Sequence, residues 1–143
     1  MSTLFEAELD VSTPAVSALT ERISGFLEAG SVDPRTAHHV VLVCDEILTN
    51  VAEHGGSGVA AAVRVMIEPS AVNGEISDTG MPFDPRGAAT PDINAGIDNR
   101  PVGGLGLFLI HRLTDRFDYA RRDGRNCTRF SIPRRPASTK GAS

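Results

Sequence analysis

The chain has 143 residues, of which 41% are hydrophobic, and its formal net charge is −4. This length and composition predict one globular domain that is large enough to bury a core. The acidic balance gives no indication of nucleic-acid or membrane binding, and no apolar run approaches the ~20 residues of a membrane span. The first residues, MSTLFEAELD, lack the basic start and apolar core of a secretory signal, so we expect a cytoplasmic protein.

The first half of the chain predicts one strand and two helices. Residues 4–11 alternate between polar and apolar, as a strand does. The sequences STP at 12–14 and DP at 33–34 each combine a capping residue with an early proline, which is typical of a helix start. We expect the first helix to stop near Gly30 and the second to run to about His54.

The second half predicts strands, a loop, one helix and a hairpin. A single domain is therefore expected over residues 1–135, followed by a disordered tail over 136–143. The order of elements predicts an α/β (α+β) two-layer sandwich, with a mixed, largely antiparallel sheet and about three helices on one face. The predicted elements are strands at 59–68 and 74–78, an irregular loop at 84–102, a helix from 104–105 to about 114, and strands at 116–122 and 126–133 joined by Asp123-Gly124.

The first stretch with possible chemistry is DEILTNVAEHGG, residues 45–56. It places Glu46, Asn50 and His54 at four-residue intervals on the second predicted helix. At ~100° per residue, this polar stripe borders the apolar arc that must face the sheet. The stripe could be a solvated flank of the helix or one wall of a site, and the pattern alone does not decide between them.

The second stretch is ISDTGMPFDP, residues 76–85. Asp78 ends an apolar strand, and Gly80 follows two residues later. Taken alone, an acid in this place favours a turn in which the carboxylate caps nearby N–H groups. The alternative is a buried acceptor for an exocyclic amine, as in adenine recognition, with the glycine allowing close approach of the base.

The third stretch is VGGLGLFLIHRL, residues 102–113. Gly103, Gly104 and Gly106 precede and enter an apolar helix, where backbone N–H groups and the helix dipole favour phosphate. A hinge with one close helix–sheet contact is the alternative. The stretch does not follow a strand within a βαβ unit and is not Gly-x4-Gly-Lys-[Ser/Thr], so a dinucleotide fold and a Walker-type loop are disfavoured.

In this order, the three stretches resemble the GHKL ATPase superfamily, whose members bind ATP in the Bergerat fold. EILTNVAEH is similar to its N box, DTG to its first glycine box and GGLGL to its second. More narrowly, DEILTNVAEHG, DTGMPFDP and GGLGLFLIHRLTDRFDY resemble the RsbW-type anti-sigma-factor serine kinases. Histidine kinases usually have Asn in place of Glu46, and gyrase-, MutL- and Hsp90-like proteins have longer lids and additional domains. The resemblance thus implies a GHKL-type ATP-binding kinase domain.

The resemblance also implies roles for matching residues. Glu46 would orient or deprotonate the attacking hydroxyl, and Asn50 would coordinate Mg²⁺ through its side-chain oxygen. Asp78 would accept a hydrogen bond from the adenine amino group, and Gly80 would give the base room. Thr128, in NCTRF, matches the family's threonine on the last strand, which supports the aspartate and the adenine through hydrogen bonding.

The phosphate end of the nucleotide is expected to meet the second glycine box as residues 84–102 close over it. His54 could contact phosphate or only cap the helix end, and Arg100 could reach phosphate or be a solvated arginine of the lid. Leu105 stands where relatives often have Arg or another polar residue, which leaves only backbone contacts at that position. The expected cradle is the backbone of Gly103, Gly104, Leu105 and Gly106.

The implied function is partner switching. The protein, as a homodimer, would sequester an alternative sigma factor and use ATP to phosphorylate a serine on a STAS-domain anti-anti-sigma protein. No direct contact with nucleic acid or membrane is expected. Two alternatives stay open: a binding module that is gated by ATP without phosphotransfer, and a kinase whose partner is not linked to a sigma factor.

Overall fold

The computed structural model describes residues 3–85 and 104–134. The expected tail over 136–143 and all but the first two residues of the expected loop lie outside these ranges. Within them the chain forms five strands and three helices, in the order β1 (Leu4–Asp10), α1 (Thr13–Ala29), α2 (Pro34–His54), β2 (Ala60–Ile67), β3 (Ala71–Asp78), α3 (Gly104–Leu113), β4 (Arg116–Arg122) and β5 (Arg125–Pro133).

Both long helices begin at the predicted capping residues. The Ser12 hydroxyl accepts a hydrogen bond from the N–H of Ala15 over 3.2 Å, and the Asp33 carboxylate accepts one from Thr36 over 3.0 Å. Each helix also has proline in its first turn. Local capping therefore sets where α2 starts, and its length of 21 residues carries it to His54.

The sheet has the strand order β1-β2-β3-β5-β4, and all four of its pairs are antiparallel. The two-layer sandwich is confirmed, but the described strands contain no parallel pair, so the predicted mixed sheet is purely antiparallel here. The reason is that the second strand of the last hairpin, and not the first, pairs with β3. Because β5 lies between β3 and β4, the end of β3 lies next to the start of β5.

Strand β3 starts earlier than predicted. The sequence places its start at Gly74, whereas the structure extends the strand back to Ala71 and pairs Gly74 with Phe130 of β5. A Cβ atom built on Gly74 would lie 2.2 Å from the Phe130 ring, so the ring occupies the space of the missing side chain. Gly74 therefore lies at a close contact within β3 and does not mark the start of the strand.

The helices cover one face of the sheet, and the core lies between the two layers. The opposite face is more exposed and carries ion pairs from Arg64 to Glu6 at 3.0 Å and from Arg129 to Glu75 at 3.4 Å. No helix in the described part of the chain is long and apolar enough to cross a membrane. The fully buried side chains with the largest volumes are Ile23, Leu27, Leu48, Ile76, Ile110 and Ile132.

Candidate functional site

One pocket lies where the last turns of α2 meet the end of β3 and the start of β5. Four residues that the sequence predicts to bind nucleotide line it together, although they come from three separate elements. They are Asn50, His54, Asp78 and Thr128, and the other lining residues are Ile47, Val51, Gly55, Met81, Phe83, Pro85 and Asn126.

Asp78 closes the turn after β3 and also faces the pocket. Its Oδ1 atom accepts hydrogen bonds from the N–H of Gly80 at 2.8 Å and from Nδ2 of Asn126 at 2.9 Å. The turn interpretation of this stretch is therefore correct. Within residues 3–85 and 104–134, however, Oδ2 has no hydrogen-bond partner, so one carboxylate oxygen of a residue only 4% exposed is available to a donor in the pocket.

Asn126 is a site residue that the sequence reasoning missed. It is 4% exposed, and β3–β5 pairing sets it directly opposite Asp78. The resemblance assigned the support of Asp78 to Thr128, which is also buried and lines the pocket. In the described residues no hydrogen bond joins Thr128 to Asp78, and Asn126 supplies that bond. Alternation along β5 places positions 126 and 128 on the same face, which was the available signal.

Gly80 lies against the end of α2. A Cβ atom on Gly80 would be 2.8 Å from Cα of Gly55 and 2.9 Å from Oδ1 of Asp78. The next N–H, of Met81, donates to the Gly55 carbonyl over 3.1 Å. The absence of a side chain on Gly80 thus lets the turn after β3 cross the end of α2. The family resemblance implied that Gly80 gives space to a base, and it did not predict this contact with the helix.

Asn50 is a buried polar residue near the end of α2, at 6% exposure. Its Nδ2 atom is enclosed and has no hydrogen-bond partner among the residues that the structure describes. A buried amide without a partner costs free energy, so it calls for a ligand or another explanation. Its place in the pocket and its two polar atoms make it the best candidate in α2 for contact with a bound group.

The surroundings of Asn50 fit a Mg²⁺ ion that is bound mainly by the nucleotide. No group of three or more His, Cys, Asp or Glu side chains that could hold a metal occurs in the described ranges. Mg²⁺ commonly takes one or two protein oxygens and completes its shell with water and substrate phosphates. A metal carried by the nucleotide and touched by one amide oxygen is compatible with these residues, whereas a metal site built by protein ligands alone is not.

Glu46 lies one helical turn before Asn50 and is half-buried. Burial raises the pKa of its carboxyl above the usual range, and the nearby charges of Asp45 and Glu53 add to the increase. A carboxylate with a raised pKa is a better proton acceptor near neutral pH. Glu46 does not line the pocket itself, so any contact with a substrate would occur at its edge.

His54 makes a contact that neither sequence alternative included. Its ring stacks on Phe83, with centroids 4.5 Å apart and an interplanar angle of 11°. The helix end is closed by Gly55, whose N–H donates to the Val51 carbonyl over 2.8 Å. His54 and Phe83 together form one side of the pocket.

The second glycine box is only partly described. Gly104, Leu105 and Gly106 form the first turn of α3, as expected for a helix start that could hold phosphate. Gly103 and Arg100 lie outside the described residues. Helix α3 packs against α2, the helix that carries Asn50.

Comparison with known proteins identifies a family and several structures with a similar fold. Residues 9–132 match the family described as the histidine kinase-like ATPase domain, and no curated protein matches the sequence. The fold is similar to that of the RsbU and RsbW domains of Rv1364c from Mycobacterium tuberculosis, with a TM-score of 0.66 at 15% identity. That alignment covers 95% of this chain and 34% of the other, so this chain spans about a third of its neighbour's length.

Two histidine kinases have the same fold. The catalytic domain of ThkA aligns with a TM-score of 0.52 at 13% identity, over 92% of this chain and 99% of that domain. The blue-light activated histidine kinase EL346 of Erythrobacter litoralis aligns with a TM-score of 0.56 at 16% identity, over 88% and 43% of the two chains. At these identities the neighbours show the fold, while the family match extends over most of the chain. This protein therefore belongs to the histidine kinase-like ATPase domain family.

Proposed function

We propose that this protein is an ATP-dependent serine kinase and anti-sigma factor that acts by partner switching. It sequesters an alternative sigma factor and phosphorylates a serine of a STAS-domain anti-anti-sigma protein, and it works as a homodimer. The family and the fold support an ATP-binding, kinase-like function in general. The narrower proposal is supported by the RsbW-type sequence stretches and by a structural neighbour that contains an RsbW domain.

The observation that carries this proposal is that polar residues of α2 and the Asp78 carboxylate line the same pocket. Asp78 offers an open oxygen that matches the amino group of adenine, and Asn50 offers a buried amide whose Nδ2 has no partner among the described residues. Glu46 follows one turn back, about 6 Å along the helix axis. This order of polar groups matches the order of a base, a phosphate chain and an attacking hydroxyl.

The chemistry assigns a task to each of these residues. Asp78 holds the base, and Asn50 would hold Mg²⁺ through its amide oxygen. When bound, Mg²⁺ would supply positive charge against the phosphates. Glu46 accepts the proton of the serine hydroxyl while the serine oxygen forms its bond to the γ-phosphorus. The bond from that phosphorus to the bridging oxygen breaks, and its electron pair leaves with ADP.

The test is transfer of radiolabelled phosphate from ATP to a purified STAS-domain protein of the same organism. Glu46→Gln keeps the size and loses the basicity, so it should bind ATP nearly normally and transfer phosphate at least ~100-fold more slowly. Asn50→Ala should lose Mg²⁺-dependent binding and transfer together. Glu21→Gln, an exposed residue of α1, is the matched control.

The outcomes separate the candidate functions. A wild-type protein that binds ATP and the STAS protein but never labels it is an ATP-gated binding module, and the kinase proposal fails. Labelling of the STAS protein without any binding to sigma factors would leave a kinase with another regulatory target. If Glu46→Gln transfers phosphate at the wild-type rate, Glu46 is not the base.

A further inference from the structure

We propose that Asn126 is a positioning residue that sets the base preference of the pocket, by holding the Asp78 carboxylate in one orientation. The inference rests on the nucleotide binding proposed above and adds to it a residue outside the three sequence stretches. Asn126 is buried, is the second residue of β5 and donates to Asp78 on the neighbouring strand.

The contacts of Asn126 leave its amide only one orientation. Nδ2 donates to Oδ1 of Asp78 and to the Met81 carbonyl, both at 2.9 Å. Oδ1 accepts from the Phe83 N–H at 3.3 Å and from Nη1 of Arg121 at 3.1 Å. The hydroxyl of Tyr119 also donates to it. Turning the amide over would set an oxygen against two acceptors and an NH₂ group against three donors.

This network saturates one oxygen of Asp78 and leaves the other open. Oδ1 already accepts from Gly80 and Asn126, so the carboxylate cannot rotate without losing both bonds. The open oxygen then presents an acceptor to the base in a buried pocket. Adenine carries an amino donor on the edge where guanine carries a carbonyl, so an acceptor held in place favours adenine and repels guanine.

The same network connects the site to β4. Arg121 donates from one nitrogen, Nη1, to the carbonyl of Gly80 at 2.9 Å as well as to Asn126. Among the residues that the structure describes, the titratable groups that contact Asn126 are thus Asp78 on β3 and Tyr119 and Arg121 on β4. Because Asn126 also holds Met81 and Phe83, one side chain positions both the carboxylate and the turn that follows it.

The most informative variant is Asn126→Asp, which has almost the same shape but replaces the donor with an oxygen. At about pH 8 two carboxylates then face each other, and Asp78 loses its orientation, so ATP affinity should fall about 10- to 100-fold. The ratio of ATP to GTP affinity should fall as well. A proton gained by the side chain at position 126 at lower pH would restore a donor to Asp78, so lowering the pH should regain part of the loss relative to wild type.

The matched control is Asn73→Asp. Asn73 also donates through Nδ2 to a carboxylate, that of Glu68 at 2.8 Å, but it is on the other end of β3 and is solvent-accessible. Its ATP affinity, ATP-to-GTP ratio and pH profile should equal those of wild type. Nucleotide affinities are measured by calorimetry with Mg-ATP and Mg-GTP, and folding is checked by circular dichroism.

Arg121→Ala provides a second variant whose exposed side chain carries little risk to folding. Losing one donor to Asn126 and one to Gly80 should reduce the ATP-to-GTP ratio by a smaller factor, roughly 3- to 10-fold. The inference is overturned if a folded Asn126→Asp keeps the wild-type ATP affinity and ATP-to-GTP ratio. If Asn126→Asp does not fold, the same result for Arg121→Ala overturns it. In either case, ATP binding by the wild type leaves the proposed function in place. A wild type that binds no ATP would refute both.

Discussion

At the scale of single residues, Asp78 caps a turn and is also proposed to bind the base, two tasks that the sequence presented as alternatives. Oδ1 caps the turn, and Asp78 also lines the pocket, where we propose that its second oxygen meets the base. One carboxylate can do both because its two oxygens have separate acceptor sites. A variant that keeps one acceptor and replaces the other should therefore separate folding from base binding.

Asp78→Asn is that variant. Its amide oxygen can still accept from Gly80 and Asn126, so we expect the fold to remain intact. The pocket would then present an NH₂ group to the adenine amine, and ATP affinity should fall roughly 10- to 150-fold. Calorimetry measures this loss, with the exposed Asp118→Asn as control. Wild-type affinity in a folded Asp78→Asn would remove Asp78 from base recognition.

Glu46 gives a second prediction at this scale, on stability and pH. Because burial and neighbouring carboxylates raise the pKa of Glu46 in the folded protein, the native state holds this proton more tightly than the unfolded chain. Charging Glu46 therefore costs wild-type stability as pH rises, and the cost is absent below the unfolded pKa of about 4.3. Glu46→Gln avoids it.

The measurement is urea unfolding of wild type and Glu46→Gln at a series of pH values that starts below about 4.3 and increases from there. The variant should gain stability relative to wild type as the pH increases, and the gain should level off above the raised pKa of Glu46. A difference between the two proteins that stays constant, or that shrinks with rising pH, would show that the fold does not disfavour the charged carboxylate.

At the scale of elements, the site depends on how the end of α2 meets the turn after β3. Gly55 and Gly80 face each other there, and the N–H of Met81 donates to the Gly55 carbonyl. This contact sets the distance between the helix that carries Asn50 and the strand that carries Asp78. A side chain at the contact should therefore disturb both the fold and the pocket.

Gly80→Ala tests this contact. The added Cβ would meet the Gly55 backbone at 2.8 Å and Oδ1 of Asp78 at 2.9 Å, so the turn must shift. We expect a loss of about 1–3 kcal/mol in the free energy of unfolding, together with weaker ATP binding. Gly25→Ala is the control, since it lies inside α1 with no atom within 4 Å of the new Cβ. It should gain up to ~1 kcal/mol.

The two alanine variants have opposite expected signs in the same unfolding experiment. If Gly80→Ala were as stable as wild type, the turn after β3 would have room to move away from the helix end. The close Gly55–Gly80 contact would then not hold the two parts of the pocket together.

At the scale of the whole molecule, nucleotide binding and folding should be linked. A ligand that binds only the folded chain stabilises it by about 2.7 kcal/mol at 100 times its Kd. For a domain of this size, that gain corresponds to a rise in Tm of roughly 5–10 °C. We expect this rise with Mg-ATP in a thermal scan, a much smaller one with Mg-GTP, and a smaller one for Asp78→Asn at the same ATP concentration, because the affinity of the variant is roughly 10- to 150-fold lower. Equal shifts for both nucleotides would contradict adenine recognition by Asp78.

The sequence alone was sufficient for features that depend on a few neighbouring residues. Ser12 and Asp33 identify the starts of the helices, because a capping oxygen and an early proline act within one turn. The burial of Val63 and Val65 in β2 follows from strand alternation. The polar spacing on α2 and the two glycine boxes were likewise visible, and they led to the family.

Tertiary structure decided what depends on residues far apart in the chain. Asn126 and Asp78 are separated by 48 positions, and only the register of β5 against β3 makes them partners. The ring of Phe130 over Gly74 likewise turned an apparent strand break into a strand interior. Strand order and register are set by how the whole core packs, and a shift of one residue would turn Asn126 away from the pocket. Local patterns in one sequence carry no record of that choice.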